Sequence, residues 1–361
     1  MLISFLRTAS FRNIDDKETE TGYKDVFLVG ENGQGKTNFL EALYFCAYAS
    51  SFRTARDTEI ARNGEKEFSA EVKIKNSLND SILIKYEKGK KNIFINGKKA
   101  EDRKELLSIA PTIVFCHEDM EFINGSPERR RWFFDQTLSL YDPVYLEDLR
   151  RYRHVLKTRN TVLKDYCNNN LSGNVHQILD ALDPQYEVYG QKLMEKREKS
   201  VKQFSDIFCS LYEEVSGITG ITVQYNQSWK KGKDINSILK DKRASDMECG
   251  ISLSGPHRDR YIFAHNDADF TVKASTGQKR LLALLLRAAQ SRSFSQMTGL
   301  NPILLLDDVL LEMDGEKRRK FLSVMPLYDQ AFYTFLPDEP FQRYQKKDTL
   351  VYNVKGGKFL K

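Results

Sequence analysis

Cysteine, proline and tryptophan are scarce in this sequence, and no long apolar run is present. The 361 residues include 5 cysteines, 9 prolines and 2 tryptophans. No two cysteines form a C-x-x-C pair, so neither a disulfide framework nor a zinc site is indicated. No segment approaches the roughly 18 consecutive apolar residues of a membrane span, and residues 1–10 show no signal-peptide pattern. We therefore expect a cytoplasmic protein with a core large enough for two lobes.

Charge of one sign is not in large excess either, since the formal net charge is +6. The lysines and arginines are instead concentrated in short clusters, which include the segments 129–131, 150–153, 157–159, 230–231 and 317–320. Such clusters neutralise the phosphates of a nucleic-acid backbone without reading its sequence. For any single cluster a solvated surface is the commoner explanation. The charges alone therefore do not decide the partner.

A complete phosphate-binding loop lies near the start of the sequence. Residues 30–37 read GENGQGKT, which fits the pattern G-x-x-x-x-G-K-[ST]. A predicted strand at 26–29 precedes the loop and a predicted helix at 38–49 follows it, and this order disfavours a chance match. Glycines let successive N–H groups point at phosphate oxygens, while Lys36 reaches the β- and γ-phosphates and Thr37 holds Mg²⁺. The predicted nucleotide-binding residues are Gly30, Glu31, Asn32, Gly33, Gln34, Gly35, Lys36, Thr37 and Asn38.

A candidate metal-binding acid lies much later in the sequence. Residues 303–306 are four consecutive apolar residues, which predict a strand buried on both faces of a parallel sheet. Asp307 and Asp308 follow at the end of that strand, where ligands usually bind. We predict that Asp307 binds Mg²⁺ through water and that Asp308 orients the attacking water. Simple solvation of the strand end is the alternative, which the phosphate loop makes less attractive.

A third short motif precedes the acidic strand. Residues 274–278 read ASTGQ and are followed by a predicted apolar-rich helix over 279–292. Ser275 and the N–H groups of Thr276 and Gly277 are expected at the helix N-terminus, where the dipole favours a γ-phosphate. With Gln278 they form Ser-x-Gly-Gln, which resembles the signature motif of ABC-type ATPases. In that superfamily the signature contacts nucleotide held by the other subunit. A structural N-cap is the alternative.

Between these motifs the sequence changes character. Residues 1–118 are strand-rich, with predicted strands at 71–75, 82–86 and 93–95 and a turn at Asn96-Gly97. A helical pattern follows: Pro127 opens a helix, Asp142-Pro143 interrupts it, and a further helix is predicted over 184–215 with Pro184 at its start and Gly217 at its end.

Together these residues resemble the RecF family, bacterial recombination mediators that are SMC-like ABC ATPases. The similarity covers nearly the whole length in order, which makes it highly specific. Its blocks are SFRN (10–13), GENGQGKTNFLEAL (30–43), SSFRTARDTEI (50–60), Phe115, Glu118-Asp119, GSPERR (125–130), SGPHRD (254–259), STGQKR (275–280) and LLLDDVLLEMD (304–314).

The resemblance implies an α/β fold, an ABC-type ATPase head with mixed sheets over 1–118 and 245–361, and an inserted helical lobe over 119–244. It implies ATP and Mg²⁺ as cofactors, Lys36 and Asp308 as catalytic residues, and Asn13 and Arg53 near the nucleotide. In a two-subunit clamp, residues 275–278 of one subunit complete the site of the other. Because many ABC ATPases have glutamate where Asp308 stands, we expect slow hydrolysis suited to timing.

A role in DNA metabolism is also implied by the resemblance. It comprises replication, repair of DNA damage, the SOS response, and ATP-dependent binding of a homodimer to gapped, single-stranded and double-stranded DNA with weak DNA-dependent ATPase activity. The implied partners are RecR, with RecO and RecA in the same pathway. The candidate DNA-contacting residues are Arg129, Arg130, Arg150, Arg151 and Arg153.

The sequence departs from the family pattern in three places. After the acidic strand the family usually has Ser-Glu-Leu-Asp, whereas residues 311–314 here read LEMD, so one hydroxyl expected at the subunit interface is missing. His117 replaces a proline, and Arg260 replaces an aspartate after Pro-His-Arg-Asp. Neither of these two replacements removes a phosphate ligand.

Two other functions share part of this pattern. An ABC-type ATPase subunit of another system, such as a transporter, shares the three motifs but requires a membrane partner and lacks the inserted helical lobe. A small-molecule kinase uses a phosphate loop without Ser-x-Gly-Gln and acts as a monomer. Sedimentation with and without ATP separates the kinase from a clamp.

Overall fold

The chain packs into two compact units. The computed structural model describes residues 1–75, 80–169, 173–309 and 315–361. The first unit combines Met1–Asp119 with Ala283–Lys361, and the second is Met120–Leu282. The expected domain limits, 1–118 with 245–361 and 119–244, stay a prediction, since a packing unit is not by itself a domain. The divergent segment 311–314 lies outside the described residues.

The N-terminal part of the chain is strand-rich, as the sequence predicts. Along Phe68–Lys75 every second residue is buried, the period expected of a strand with one face on a core. Asn96 and Gly97 have φ of 52° and 76°, the left-handed values that a two-residue hairpin turn requires. The elements are β1 (Leu2–Ala9), β2 (Glu18–Glu20), β3 (Asp25–Val29), α1 (Lys36–Tyr48), β4 (Phe68–Lys75), β5 (Ser81–Glu87), β6 (Lys90–Ile95), β7 (Lys98–Lys99), α2 (Lys104–Ile109) and β8 (Thr112–Phe115).

Long helices dominate the middle of the chain, and strands return near its end. The middle elements are α3 (Glu121–Asn124), α4 (Pro127–Tyr141), α5 (Pro143–Cys167), α6 (Val175–Ser216), β9 (Ile221–Asn226), α7 (Ile235–Cys249), β10 (Arg260–His265), β11 (Ala268–Asp269), α8 (Phe270–Lys273) and α9 (Thr276–Thr298). The remaining elements are β12 (Ile303–Leu306), α10 (Gly315–Ser323), β13 (Gln330–Phe335), β14 (Thr349–Lys355) and β15 (Lys358–Leu360). Among the described residues no helix is both long and apolar enough to cross a membrane.

The described strands form three sheets. One is antiparallel, in the order β2-β1-β4-β5-β6-β7, and another, in the order β11-β10-β9, lies in the second unit. The third has the order β15-β14-β3-β13-β12-β8, and within it β14, β3, β13, β12 and β8 run parallel. Every residue of β3 and β12 is buried, as expected for parallel strands covered on both faces. The carboxyl ends of β3 and β12 therefore lie at one edge, separated by β13, where ligands bind in such sheets.

The helix after the phosphate loop joins the two sheets of the first unit. Phe39, Leu40 and Phe45 of α1 are fully buried in a core that also contains Val72 of β4 and Phe332 of β13. Burying each such side chain contributes about 1.5–3 kcal/mol. The helix that carries the phosphate loop is thus held firmly by the core.

Three helix boundaries in the second unit follow the sequence prediction, and the predicted start of α6 does not. Pro127 and Pro143 begin α4 and α5, and Gly217 ends α6 with φ of 74°. The predicted helix start at Pro184 is wrong, because α6 begins at Val175 and Pro184 lies inside it. Proline removes one backbone hydrogen bond, but the turns before it are retained because Val175 and Leu179 are buried in a cluster with Leu163 and Met247. Likewise, α9 begins at Thr276 and ends at Thr298, so the predicted helix over 279–292 was too short.

A helical glycine in α6 gives a test of packing in the second unit. A β-carbon built on Gly190 lies 2.4 Å from the ring of Trp229, whose side chain is fully buried. Alanine is the better helix former by about 1 kcal/mol, but overpacking typically costs about 1–3 kcal/mol. The net effect of Gly190→Ala is therefore expected to lower the free energy of unfolding by up to about 2 kcal/mol, measured by chemical denaturation. Gly315→Ala, where a β-carbon has open space, is the control; equal stability of both variants would contradict this packing.

Candidate nucleotide-binding site

The loop between β3 and α1 has the backbone geometry of a phosphate cradle. Gly35, immediately before α1, has φ of 116°, which disfavours any side chain. Gly30 is needed for another reason, because a β-carbon there would lie 2.5 Å from the carbonyl oxygen of Val354. Among the described residues no side chain caps α1, and its first turn contains no acidic residue. The N–H groups and the positive dipole end of α1 are therefore available to an anion.

The side chain of Lys36 lies inside this loop. It is buried, and its ammonium donates to the carbonyl oxygens of Gly30 and Glu31, the second at 3.3 Å. Both acceptors are neutral, so these two hydrogen bonds do not neutralise the buried positive charge. A phosphate is the kind of ligand that completes such an arrangement.

The structure brings together the two residues that were predicted to hold Mg²⁺. The Thr37 hydroxyl donates to Oδ1 of Asp307 at 2.9 Å, although the two residues are 270 positions apart. Both offer the hard oxygen atoms that Mg²⁺ prefers, and Mg²⁺ is usually bound by one or two protein oxygens together with water and substrate phosphates. These residues therefore fit the ion, and it would be held between the phosphate loop and the end of β12.

The electrostatics of Asp307 also favour a cation. Burial, and next the negative charge of Asp308, raise the pKa of Asp307 to about 6, although hydrogen bonds from Thr37 and Thr334 oppose the shift. The raised pKa means that the ionised carboxylate is poorly compensated where it stands. A bound cation relieves that cost.

The second carboxylate of the pair is held by a threonine that sequence reasoning missed. Asp308 has φ of 50°, and its N–H donates to the Thr334 hydroxyl oxygen at 2.7 Å. That hydroxyl lies 2.8 Å from Oδ1 of Asp308 and 3.1 Å from Oδ1 of Asp307. Thr334 is buried on β13, the strand between β3 and β12. The available signal was a polar residue in an otherwise apolar strand end.

The predicted nucleotide residues outside the loop are connected to it by side-chain amides. The Asn13 amide donates to the Gly33 carbonyl oxygen at 3.0 Å, and the Asn38 amide donates to Oδ1 of Asn13 at 2.7 Å. Arg53 in turn donates to Oδ1 of Asn38 at 2.7 Å. Asn13, Asn38 and Arg53 are thus one hydrogen-bonded chain that begins on the loop.

A buried glutamate fixes the far end of this chain. Glu41 on α1 is fully buried and accepts from Arg53 at 3.3 Å and from Arg12 at 2.8 Å. Ser51 also donates to it. Sequence reasoning missed Glu41 and Arg12 as site residues, although an acidic residue within an apolar helix was a usable signal. Glu41 is desolvated, so losing its arginines would leave a buried charge unpaired. The two arginines are therefore held more firmly than the partners in a surface ion pair.

The β14–β15 hairpin contacts the loop from the other side. The N–H of Gly356 donates to Oε1 of Gln34 at 2.7 Å, and the N–H of Gly357 donates to the Gln34 carbonyl oxygen at 2.9 Å. Gln34 is therefore anchored by both its backbone and its side chain. Nothing in the sequence motif indicated this role for residues 356 and 357.

These elements surround a cavity of about 180 Å³. Its size is below the roughly 300–1,000 Å³ of sites that enclose a whole drug-sized ligand, so it is suited to the phosphates of a nucleotide. The residues that line it are Glu31, Asn32, Gly33, Gly35, Lys36, Thr37, Asn38, Arg53 and Asp308.

The signature-like motif forms an exposed helix start in the second unit. The Ser275 N–H donates to Oε1 of Gln278 at 2.7 Å, and the Gln278 N–H lies 3.3 Å from the Ser275 hydroxyl oxygen. This reciprocal pair is a capping box. Thr276 and Gly277 between them are exposed. Ser275 is therefore an N-cap in this structure, and its contact with a partner's nucleotide stays a prediction.

Of the arginines predicted to contact DNA, Arg130 is used within the protein. Its half-buried guanidinium donates to the carbonyl oxygens of Phe122, Ile123 and Tyr261 at 3.1, 2.7 and 3.1 Å. These bonds connect the start of α4 to α3 and β10. The N–H groups of Arg130 that make these bonds are therefore occupied by the backbone and are not available to a DNA phosphate.

The other predicted arginines are on the surface of α4 and α5. Arg129, Arg151 and Arg153 are exposed, and Arg150 is half-buried. Each of the three exposed guanidinium groups lies near a carboxylate: Arg129 is 3.9 Å from Glu121, Arg151 is 3.0 Å from Glu147, and Arg153 is 3.3 Å from Asp135. The pairs of Arg129 and Arg151 are exposed on both sides and contribute only about 0–1 kcal/mol each, so these two arginines can exchange a carboxylate for a phosphate at small cost. Arg153 differs, because its partner Asp135 is buried.

Comparison with known proteins shows the family of this chain. The RecF/RecN/SMC N terminal domain model matches residues 2–353. The chain is 41% identical over 354 residues to the DNA replication and repair protein RecF of Treponema pallidum, covering 96% of this chain and 98% of that protein. It is 34% identical over 330 residues to RecF of Clostridium kluyveri, covering 90% of each.

Solved structures give the same result for the fold. The recombination mediator protein RecF-ATPrS of the RecFOR pathway superposes with a TM-score of 0.85 at 26% identity, covering 99% of this chain and 97% of that one. An Smc head bound to the C-winged helix domain of ScpA superposes with a TM-score of 0.55 at 14% identity, covering 100% and 97%, and shows the fold alone. The predicted α/β fold of an ABC-type ATPase head is confirmed. The chain belongs to the RecF family of DNA replication and repair proteins.

Proposed function

We propose that this chain is an ATP-controlled clamp that binds DNA during recombinational repair and replication. The observation that carries the proposal is the hydrogen bond between Thr37 and Asp307, because it joins the phosphate loop to the acidic end of β12. This is the arrangement that phosphoryl-transfer ATPases use for a nucleotide and its metal ion. Family membership supports the DNA repair role.

Nucleotide binding follows from the loop. The phosphates of ATP would bind at the start of α1 and accept hydrogen bonds from Lys36, and Thr37 and Asp307 would hold Mg²⁺. When bound, Mg²⁺ neutralises charge on the β- and γ-phosphates. Asp308 would orient the attacking water and accept its proton. The arginine and asparagine chain from Arg53 to Asn13 would keep the loop in shape while this occurs.

Dimerisation would complete the site. The exposed helix start at Ser275–Gln278 of one subunit would contact ATP held by the second subunit, in a two-fold arrangement with two equivalent sites. ATP would then stabilise the dimer because it binds the closed form better than the separate subunits. Slow hydrolysis would set the lifetime of the closed state.

DNA would bind across the closed dimer. DNA phosphates would be contacted, without reading of the base sequence, by the exposed Arg129, Arg151 and Arg153 and by Arg150. Arg130 would support these contacts structurally. We further propose that the clamp acts at gaps or junctions between single-stranded and double-stranded DNA in the cytoplasm. RecR would be its direct partner, and RecO and the loading of RecA would follow in the pathway.

DNA binding with and without ATP tests this proposal most directly. The purified protein is titrated with single-stranded, duplex and gapped DNA in the presence of ATP, ADP or no nucleotide, while sedimentation reports its oligomeric state. We expect ATP to produce dimers and to increase DNA affinity, with gapped DNA bound best. DNA binding that is independent of nucleotide in a permanent monomer would overturn the clamp.

Neutralising Asp308 and neutralising Asp307 are expected to impair different functions, hydrolysis in the first case and Mg²⁺ binding in the second. Asp308→Asn is nearly isosteric, and asparagine tolerates the left-handed φ of this position, but it cannot take a proton from water. Since a general base contributes about 10²–10⁴-fold, hydrolysis should fall by at least about a hundredfold and the ATP-bound dimer should persist. Light scattering after ATP addition measures its lifetime.

Asp307→Asn is the matched comparison. The amide oxygen still accepts from Thr37, but the lost charge weakens Mg²⁺ binding, so this variant should need more Mg²⁺ to dimerise with ATP. Equal dimer lifetimes for the wild type and Asp308→Asn would remove Asp308 from the role of base.

A further inference from the structure

A second cavity, of about 380 Å³, lies within the helical unit. One face of α4 and one face of α5 form most of its wall. Residues 128, 131, 132 and 135 of α4 and residues 149, 152, 153 and 156 of α5 line it, and both sets have the i, i+3, i+4, i+7 spacing of one helical face. Arg197 of α6 and the His257-Arg258 turn complete the wall. The volume is within the roughly 300–1,000 Å³ typical of small-molecule sites.

Positive charge predominates at this cavity. Arg197 is buried and is paired with Asp135 at 2.8 Å and Asp259 at 2.9 Å. The charge that a ligand meets therefore comes from Arg131, Arg153 and Arg258. Glu128 at the exposed edge opposes them, and Asp135 is shared with Arg153 at 3.3 Å.

The guanidinium of Arg131 has N–H donors that could bind a ligand. Within the described part of the chain its guanidinium makes one hydrogen bond, to the Asp259 carbonyl oxygen at 2.9 Å, and a guanidinium carries five N–H donors. Burial, and next the positive charge of Arg197, lower the pKa of Arg131. Burial lowers the pKa of His257 to about 4, so His257 adds no positive charge at neutral pH. Glu128, Asp135 and Asp259 oppose the shift of Arg131, so what Arg131 offers an anion is its remaining N–H donors rather than an excess of positive charge around it.

An aromatic ring lines the same cavity. Trp132 is 39% exposed, and its ring stacks on Phe122 with centroids 5.9 Å apart. Stacking on one side holds the indole in place while part of it faces solvent. Rings of this kind bind nucleic-acid bases in a sequence-tolerant way.

We propose that this cavity binds a nucleotide that carries a terminal phosphomonoester, with the phosphate on Arg131, Arg153 and Arg258 and the base against Trp132. A phosphomonoester carries about two negative charges at neutral pH, which matches a cluster of arginines better than one phosphodiester does. The proposal rests on the proposed DNA function only where the ligand is a strand end.

Trp132 supplies the readout for the test. The chain has two tryptophans, and the other, Trp229, is fully buried. Intrinsic fluorescence is titrated with dTMP, thymidine, inorganic phosphate, and one oligonucleotide carrying a phosphate or a hydroxyl at its end. We expect dTMP to bind at least about tenfold tighter than thymidine and tighter than inorganic phosphate. A phosphorylated oligonucleotide that binds as dTMP does identifies a strand end as the source, whereas binding of dTMP alone identifies a free nucleotide.

Variants locate the site. Arg131→Gln and the more exposed Arg153→Gln should each weaken dTMP binding by about tenfold, while Lys202→Gln, which removes an exposed charge elsewhere on α6, should not. The same titration on Lys36→Ala excludes binding at the phosphate loop and keeps this test independent of ATP. Equal affinity for dTMP and thymidine, equal affinity for dTMP and inorganic phosphate, or wild-type binding by Arg153→Gln would each overturn the proposal.

Discussion

Replacing Lys36 by alanine is expected to abolish ATP binding at nucleotide concentrations that just saturate the wild type. Hydrogen bonds to charged groups are worth about 1.5–3 kcal/mol each, and Lys36 is positioned to make them to two phosphates, so affinity should fall by about a hundredfold or more. The loop also loses the donor that bridges the carbonyl oxygens of Gly30 and Glu31. Titration with a fluorescent ATP analogue measures the effect.

Two further variants sharpen this result. Lys36→Arg keeps the charge in a bulkier, planar group, and because Lys36 is buried inside the loop it should retain only weak binding. Lys66→Ala removes an exposed charge from the same unit and should bind ATP normally. If Lys36→Ala binds ATP as the wild type does, residues 30–37 are not the nucleotide site.

Arginine at position 275 is expected to leave ATP binding by each monomer intact and to abolish ATP-dependent dimerisation. Ser275 is exposed at the start of α9, and a large cation there would prevent close approach of this helix end to the partner's γ-phosphate. DNA affinity that depends on the dimer should fall with it. On the same sample, nucleotide titration measures ATP binding and sedimentation measures dimerisation.

The capping box requires a control, because Ser275→Arg also removes a helix cap worth about 0.5–2 kcal/mol. Asp and Asn are both good N-caps. Ser275→Asp keeps the cap but places a negative charge against phosphate, so it too should remain monomeric with ATP. Ser275→Asn keeps the cap without charge and should dimerise better than either. Normal dimerisation of Ser275→Asp would mean that Ser275 serves only its own helix.

The parts of this molecule that the sequence predicts are those specified locally. The phosphate loop lies between β3 and α1 because glycine spacing, an apolar strand and a helical pattern are adjacent in the chain. The strand before Asp307 could be predicted equally well, because four consecutive apolar residues with no polar face indicate a strand buried in a parallel sheet. Pro127 and Pro143 marked helix starts for the same local reason.

The wrong boundary at Pro184 shows where local reasoning stops. An aspartate before a proline is a good helix start, but Asp183 instead pairs with Arg159 at 2.9 Å and with Arg243 at 2.7 Å. Those partners are far away in sequence, so no local pattern reveals that the carboxylate is unavailable for capping. The helix continues through the proline because its tertiary contacts outweigh the lost hydrogen bond.

The site residues that were missed share this origin. Thr334 reaches both acidic residues from a different strand, and Glu41 holds two arginines from elsewhere in the chain. Each makes its contribution through partners that only the folded chain brings near. Motifs identify the residues that meet the ligand, whereas the residues that position them depend on topology.

The placement of β3 has a consequence for how the protein is made on the ribosome. The strand that leads into the phosphate loop pairs with β13 and β14, and Gln34 within the loop accepts its hydrogen bond from Gly356, 322 positions later. At a synthesis rate of about 5–20 residues per second, the emerging loop waits about 15–60 s for those neighbours. Throughout that interval β3 is an apolar segment with unpaired edges, which is the kind of segment that aggregates. A nascent chain should therefore acquire nucleotide binding only near the completion of synthesis, and until then its N-terminal segment would depend on a chaperone or on the speed of translation.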